Sequence, residues 1–218
     1  MREINKTKYL AVFSIATLIF ISGVITAQYI NKIKLNEFVS AQTDLRNYIL
    51  SLNLQTELAK KYECRVDTIK LTREKDKLGS QLDILENKLG KKDGDIKALK
   101  EEYSLLSIRQ WILFEEIREK CNKKIINIAF FYSNKNNETL CQSQGYVLDY
   151  LYKKYPNYVV IYALDYDIDD PALNTFKEIH NITQVPSIVI LDKTYHGFQN
   201  KEKLEQIVTQ EIKNIHIS

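Results

Sequence analysis

The chain is 218 residues long, enough for one large domain or two small ones, and its 44% hydrophobic and 27% charged residues are ordinary for a folded protein. Lys and Arg number 31 against 28 Asp and Glu, so the formal charge is only +3. That charge is spread along the chain rather than clustered, which argues against a nucleic-acid-binding protein.

The average conceals a sharp division. Tyr9 to Ile30 is a run of 22 residues without a charge. At 1.5 Å per residue such a helix spans about 33 Å, and a bilayer core is roughly 30 Å thick, so a transmembrane helix is expected. A cleaved signal peptide is the rival reading, because Arg2, Lys6 and Lys8 precede the run and Ala27 lies near its end. The run is long for a signal core and Ile25 makes a poor cleavage site, which favours an uncleaved anchor. The basic residues before the span, set against Lys32, Lys34 and Arg46 after it, lean toward an inside N-terminus. The expectation is a cytoplasmic N-terminus and anchor over residues 1–30, in the bilayer through residues 9–30. The rest of this single-pass cell-membrane protein would then be extracytoplasmic.

Residues 31–122 read as helical. Prolines are absent there, and the glycines are Gly79, Gly90 and Gly94. Leu45, Ile49, Leu52, Ala59, Tyr62, Val66 and Ile69 form one apolar stripe, and Leu71, Leu78, Leu82, Leu85 and Leu89 form a second. The two are out of register near Leu71, which predicts a bend. Leu99, Tyr103, Leu106, Leu113 and Ile117 follow as a heptad seam, with Gln110 as its polar interruption. Gly90 to Gly94 supplies a turn, with Asp93 or Asp95 as a helix cap. The simplest arrangement is an α-helical coiled-coil hairpin that turns near 90–94; the alternative is one long parallel coiled coil that makes a homodimer.

Cys64 lies 26 residues before Gly90 and Cys121 lies 27 residues after Gly94. Folding at that turn brings them side by side, so a disulfide between Cys64 and Cys121 is expected, and it would require an oxidising compartment. The competing reading is two small buried residues that merely pack as hydrophobes.

Residues 123–218 change to short alternating elements. Ile125–Tyr132 reads as a buried strand, Leu140–Lys154 as a helix with Val147, Leu148 and Leu151 inside, and Tyr158–Leu164 as a second buried strand. Asp170-Pro171 opens a helix whose inner face is Leu173, Phe176 and Ile179. Val185–Leu191 and Tyr195–Phe198 are the last strands, and a helix with Leu204, Ile207, Val208 and Ile212 closes the chain. The order β-α-β-α-β-β-α implies a parallel first pair and an antiparallel final hairpin in an α/β domain.

Val185-Pro186-Ser187 before an apolar strand, in this element order, resembles the thioredoxin superfamily. The resemblance covers roughly residues 124–215 and implies a thioredoxin-like domain in which Pro186 is the cis-proline facing the redox loop. It also implies a C-x-x-C motif at the start of the first helix, where one thiol attacks a substrate disulfide and the second resolves the mixed disulfide. Here that loop holds Cys141 alone. Read as the first position, the motif is Cys141-Gln-Ser-Gln144; read as the second, it is Glu138-Thr-Leu-Cys141. The second reading is favoured by the nine-residue distance from Tyr132. It is favoured also by Gln144-Gly145, which resembles membrane-anchored thioredoxin-like proteins whose C-x-x-C is followed by x-x-Gln-Gly. The nucleophile is then the missing residue, and the active site is degenerate.

Other candidates weigh less. Asp165, Asp167, Asp169 and Asp170 alternate as in a calcium loop, but the required glycine and twelfth-position glutamate are absent and a capped helix start fits better. His180, His196 and His216 lack metal-ligand spacing. Trp111, with Ile108 and Ile112, lies off the Leu99 seam and would pack the hairpin onto the following domain, touch a partner or lie near the membrane. Asn137-Glu-Thr139 and Asn181-Ile-Thr183 are glycosylation sequons. No cofactor and no metal is implied. The sequence thus points to a membrane-anchored, non-catalytic thioredoxin-like protein that binds an unidentified protein partner at the cell envelope. The alternatives are a one-thiol redox protein forming mixed disulfides through Cys141, or a structural coiled-coil tether.

Overall fold

The computed structural model describes residues 6–89, 94–135 and 138–214. It divides into two units, residues 1–46 and residues 47–218. Helix α1 runs over Lys6–Lys61. Within the first unit the described apolar side chains of α1 are exposed, Leu18, Ile19 and Phe20 at 67, 67 and 72% among them, with Leu45, 8% exposed, the exception. Among the described residues no helix is long and apolar enough to cross a membrane. The span expected over residues 9–30 includes Tyr9, Ala11, Val12, Ala27 and Ile30, whose side chains lie outside the described set.

The second unit begins with the last turns of α1, continues through a 3₁₀ turn at Glu63–Arg65 and helix α2 at Thr68–Leu89, and reaches α3 at Gly94–Cys121. The expected bend falls between α1 and α2. Asp67 starts the new helix by accepting from Ile69 N at 3.0 Å and Lys70 N at 3.1 Å. Tyr62, placed on the buried stripe by its periodicity, is instead 47% exposed because α1 ends at Lys61 and the face is not continued. Helices α2 and α3 run antiparallel, as their pairings show: Cys64 is bonded to Cys121, Gln110 Nε2 donates to Leu71 O, and Lys100 meets Glu86. Gly79 leaves room for the Tyr103 side chain, since a Cβ there would lie 3.1 Å from its hydroxyl. The joining residues 90–93, and with them the Asp93 cap, lie outside the described residues, as does the side chain of Asp95.

Strand β1 (Ile126–Tyr132) is followed by α4 (Glu138–Lys154), β2 (Val159–Asp165), α5 (Pro171–Ile179), β3 (Ser187–Ile190), β4 (Lys193–His196) and α6 (Lys201–Asn214). The sheet order is β2-β1-β3-β4. The β1/β2 pair is parallel, with Ile126 opposite Val159; β1/β3 and β3/β4 are antiparallel. The expected order and pairings are all present.

Alternate residues of β1 serve the two faces. Asn127 and Phe131 meet α3 and α5, through Asn127 Nδ2 to Glu115 at 2.7 Å and the Phe131 ring 6.0 Å from Phe176. The other face is closed by α4 and α6, joined through Tyr150 and Glu205. Trp111, 6% exposed, docks α3 on this core with its ring 5.6 Å from both Tyr162 and Phe176 and 6.1 Å from His180. Of the three placements left open for Trp111, the structure shows it packed on this core. The outer edge of β2 would leave strand carbonyls unpaired. Helix α2 covers it: Lys75, 1% exposed, donates to Ile161 O and lies 4.6 Å from the Tyr162 ring centroid.

Candidate functional site

The site to test is the start of α4 and the loops around it. Helix α4 starts at Glu138, so its first position is not a cysteine. Cys141 lies one turn further in. It is 5% exposed and belongs to the core cluster with Phe130, Leu148 and Val185. A buried thiol is closed to a substrate disulfide, the reverse of what a nucleophilic cysteine requires.

The next turn of α4 is tied down by Gln144, which is fully buried. Its Oε1 accepts from Gln199 N at 2.7 Å and its Nε2 donates to Gln199 O at 3.2 Å, a two-way amide clasp to the segment before α6. Gly197, at φ +72°, precedes that segment and donates its N–H to Pro186 O at 2.8 Å. The positive φ there suits glycine and is costly for a residue with a Cβ. The Val185–Pro186 bond is cis, and both residues are buried.

Beyond the ends of β1 and β2 is a charged cluster that motif reading missed. Lys100 Nζ lies 2.6 Å from Asp165 and 3.3 Å from Glu86, and all three residues are at most 9% exposed. Burial opposes the Lys100 ammonium, but its coupling to Tyr132, Asp165 and Glu86 prevails and holds its pKa above the ordinary lysine value. Burial likewise raises Tyr132. A cavity of about 360 Å³ opens beside this cluster, with Lys97, Lys135, Asp167 and Ile168 on its walls. The cluster was invisible in the sequence because Glu86, Lys100 and Asp165 come from three distant elements.

Each of the alternating acids has a partner within the fold. Asp165 accepts from Asp167 N, Asp167 from Ser133 Oγ, Asp169 from Asn174, and Asp170 caps α5 through Ala172 N and Leu173 N. The capped helix start is therefore what this run builds. His180 packs on Trp111 and Phe176, His196 Nδ1 lies 3.1 Å from Ser187 Oγ, and His216 lies outside the described residues. The first sequon falls partly outside the described residues, and Asn181 of the second is exposed in a turn. Cys64 and Cys121 form the disulfide, with Cα atoms 5.3 Å apart.

A parallel β1/β2 pair joined through α4, an antiparallel β3/β4 hairpin and a cis-proline entering β3 together decide the fold. The fold of this sheet and its helices is thioredoxin-like. Solved structures similar to this chain include thioredoxin-2 of a malaria parasite, described as a component of that parasite's protein secretion machinery. It is 18% identical at a TM-score of 0.34, over 39% of this chain and 82% of that one. The thioredoxin of Fasciola hepatica is 20% identical at 0.33, over 46% and 93%. Chloroplastic thioredoxin z is 18% identical at 0.35, over 45% and 88%. No family model and no curated protein matches the sequence. These likenesses are slight, and what this part of the chain does must come from its own side chains.

Proposed function

We propose that this chain is a membrane-anchored thioredoxin-fold protein that acts by binding a protein partner on the extracytoplasmic side, without dithiol chemistry. One observation carries the reading: Glu138 opens α4, and the sulfur of this region, Cys141, is 5% exposed one turn inside the helix. In thiol–disulfide exchange a thiolate forms a bond to one substrate sulfur while the other leaves, and a second thiol then displaces the substrate. With Cys64 and Cys121 bonded to each other, the chain has no second thiol for that step.

The anchor rests on the charge-free run from Tyr9 to Ile30 and on Arg2, Lys6 and Lys8 before it. The Cys64–Cys121 bond supports an oxidising compartment, and so the side of the membrane opposite the cytoplasm. The spacing of Leu99, Tyr103, Leu106, Leu113 and Ile117 supports reading α2 and α3 as a coiled-coil hairpin.

Differential alkylation with mass-spectrometric mapping tests the proposal. Cys141 should react only after denaturation, and Cys64 and Cys121 only after reduction. Fast native alkylation of Cys141 at neutral pH, or its recovery in a mixed disulfide, would replace this reading with that of a one-thiol redox protein.

A further inference from the structure

The turn after α5 is built as a helix stop. His180 caps the helix, Asn181 N donates to Glu178 O at 3.1 Å, and Ile182 N donates to Lys177 O at 2.8 Å. This pair of bonds closes a helix whose next residue takes the left-handed conformation, and Asn181 has φ +52°. Asparagine is among the few residues with a side chain that adopt it readily, so the stop by itself accounts for Asn181. It does not account for Thr183. Asn181 and Thr183 are both exposed, and among the described residues neither side chain makes a hydrogen bond. Between them Ile182 is 6% exposed and belongs to the core. The tripeptide is therefore pinned by its middle residue, with its two outer residues on the surface. Ile179, expected on the inner face of α5, is instead 68% exposed, because the helix stops there and Ile182, beyond the turn, is the residue that enters the core.

We propose that Asn181 is the acceptor of an N-linked glycan, added on the extracytoplasmic side of the membrane. The inference rests on the extracytoplasmic reading above and adds a covalent modification to it. Asn181-Ile182-Thr183 meets the requirements of the modification: an asparagine with its amide unengaged, a middle residue that is not proline, a hydroxyl residue in third place, and a surface position. The donor belongs to the class of oligosaccharides joined through pyrophosphate to a membrane lipid. In the transfer Asn181 Nδ2 forms a bond to the anomeric carbon of the sugar, and the bond from that carbon to the pyrophosphate oxygen breaks. The lipid pyrophosphate leaves with the electron pair, and the amide proton passes to a base of the transferring enzyme. Nothing is oxidised or reduced, so the step is independent of Cys141. The attached sugar is bulky and strongly solvated, and it stands two residues from Ile179, whose apolar side chain is otherwise bare.

The test uses the full chain recovered from its own cells, digested and mapped by mass spectrometry, with cysteines alkylated before and after reduction. The peptide that contains Asn181 should carry added mass in sugar-residue steps. Thr183→Ala should abolish that mass and Thr183→Ser should keep it. Because Thr183 is exposed and unbonded, neither substitution disturbs the turn, whereas replacing Asn181 would strain its left-handed backbone. Unmodified Asn181 in a chain whose Cys64 and Cys121 are bonded overturns the glycan and leaves the extracytoplasmic reading standing. Unmodified Asn181 with both of those thiols free overturns the two together. Sugar mass that survives Thr183→Ala also overturns the proposal, since the acceptor would then not be this motif.

Discussion

Breaking the Cys64–Cys121 bond should measurably destabilise the second unit. The bond closes a loop of 57 residues that contains all of α2 and α3. In the chain-entropy treatment a closure of that length restricts the denatured state by about 4 kcal/mol. This is a ceiling, because a denatured chain that keeps some helical contact loses less on cross-linking. The native state has its own reason to respond: the bond ties the turn after α1 to the last residue of α3, the helix that carries Trp111 and Lys100 onto the sheet. For a unit of this size 1 kcal/mol moves the melting temperature by roughly 2–4 °C, so the ceiling corresponds to about 8–16 °C. The assay is thermal unfolding of the full chain followed by circular dichroism, with and without reductant, beside Cys64→Ser with Cys121→Ser. The reduced protein and the double variant should melt together, several degrees below the oxidised one. Coincident melting of all three would refute the reasoning.

Three further outcomes follow from the packing and the charges. Trp111→Ala removes a 6% exposed ring seated against Tyr162, Phe176 and His180, and should cost about 3–5 kcal/mol in urea denaturation. Lys100→Met leaves Asp165 and Glu86 buried without their cation and should cost about 3–5 kcal/mol, with much of the loss recovered when Asp165→Asn and Glu86→Gln are added. Burial lowers the His180 pKa below 6.5, so between the two values the unfolded chain binds the extra proton. This contribution to stability is full above about pH 6.5 and is lost as the pH falls through the lowered value; urea midpoints at several pH values should show the slope, and His180→Gln should remove it.

Local chemistry was legible in the sequence. Element order, the parallel crossover, the Asp170-Pro171 helix start and the proline before β3 each depend on residues within a few positions of one another, where propensity and backbone sterics act directly. The Cys64–Cys121 pair was legible because antiparallel helices equalise distances from a turn, a constraint that arithmetic can reach. The single cysteine at the start of α4 also announced that a dithiol cycle lacked a partner. What needed the tertiary structure was whatever depends on which faces meet. Periodicity marks an apolar stripe but not what covers it, so it could not foresee that Ile49, Leu52 and Ala59 are buried within the chain while Leu50, Leu54 and Leu58 are left bare. Nor could it pair Lys100 with Glu86 and Asp165, or bring Lys75 to the open edge of β2, because a charge favours burial only where distant elements converge to satisfy it.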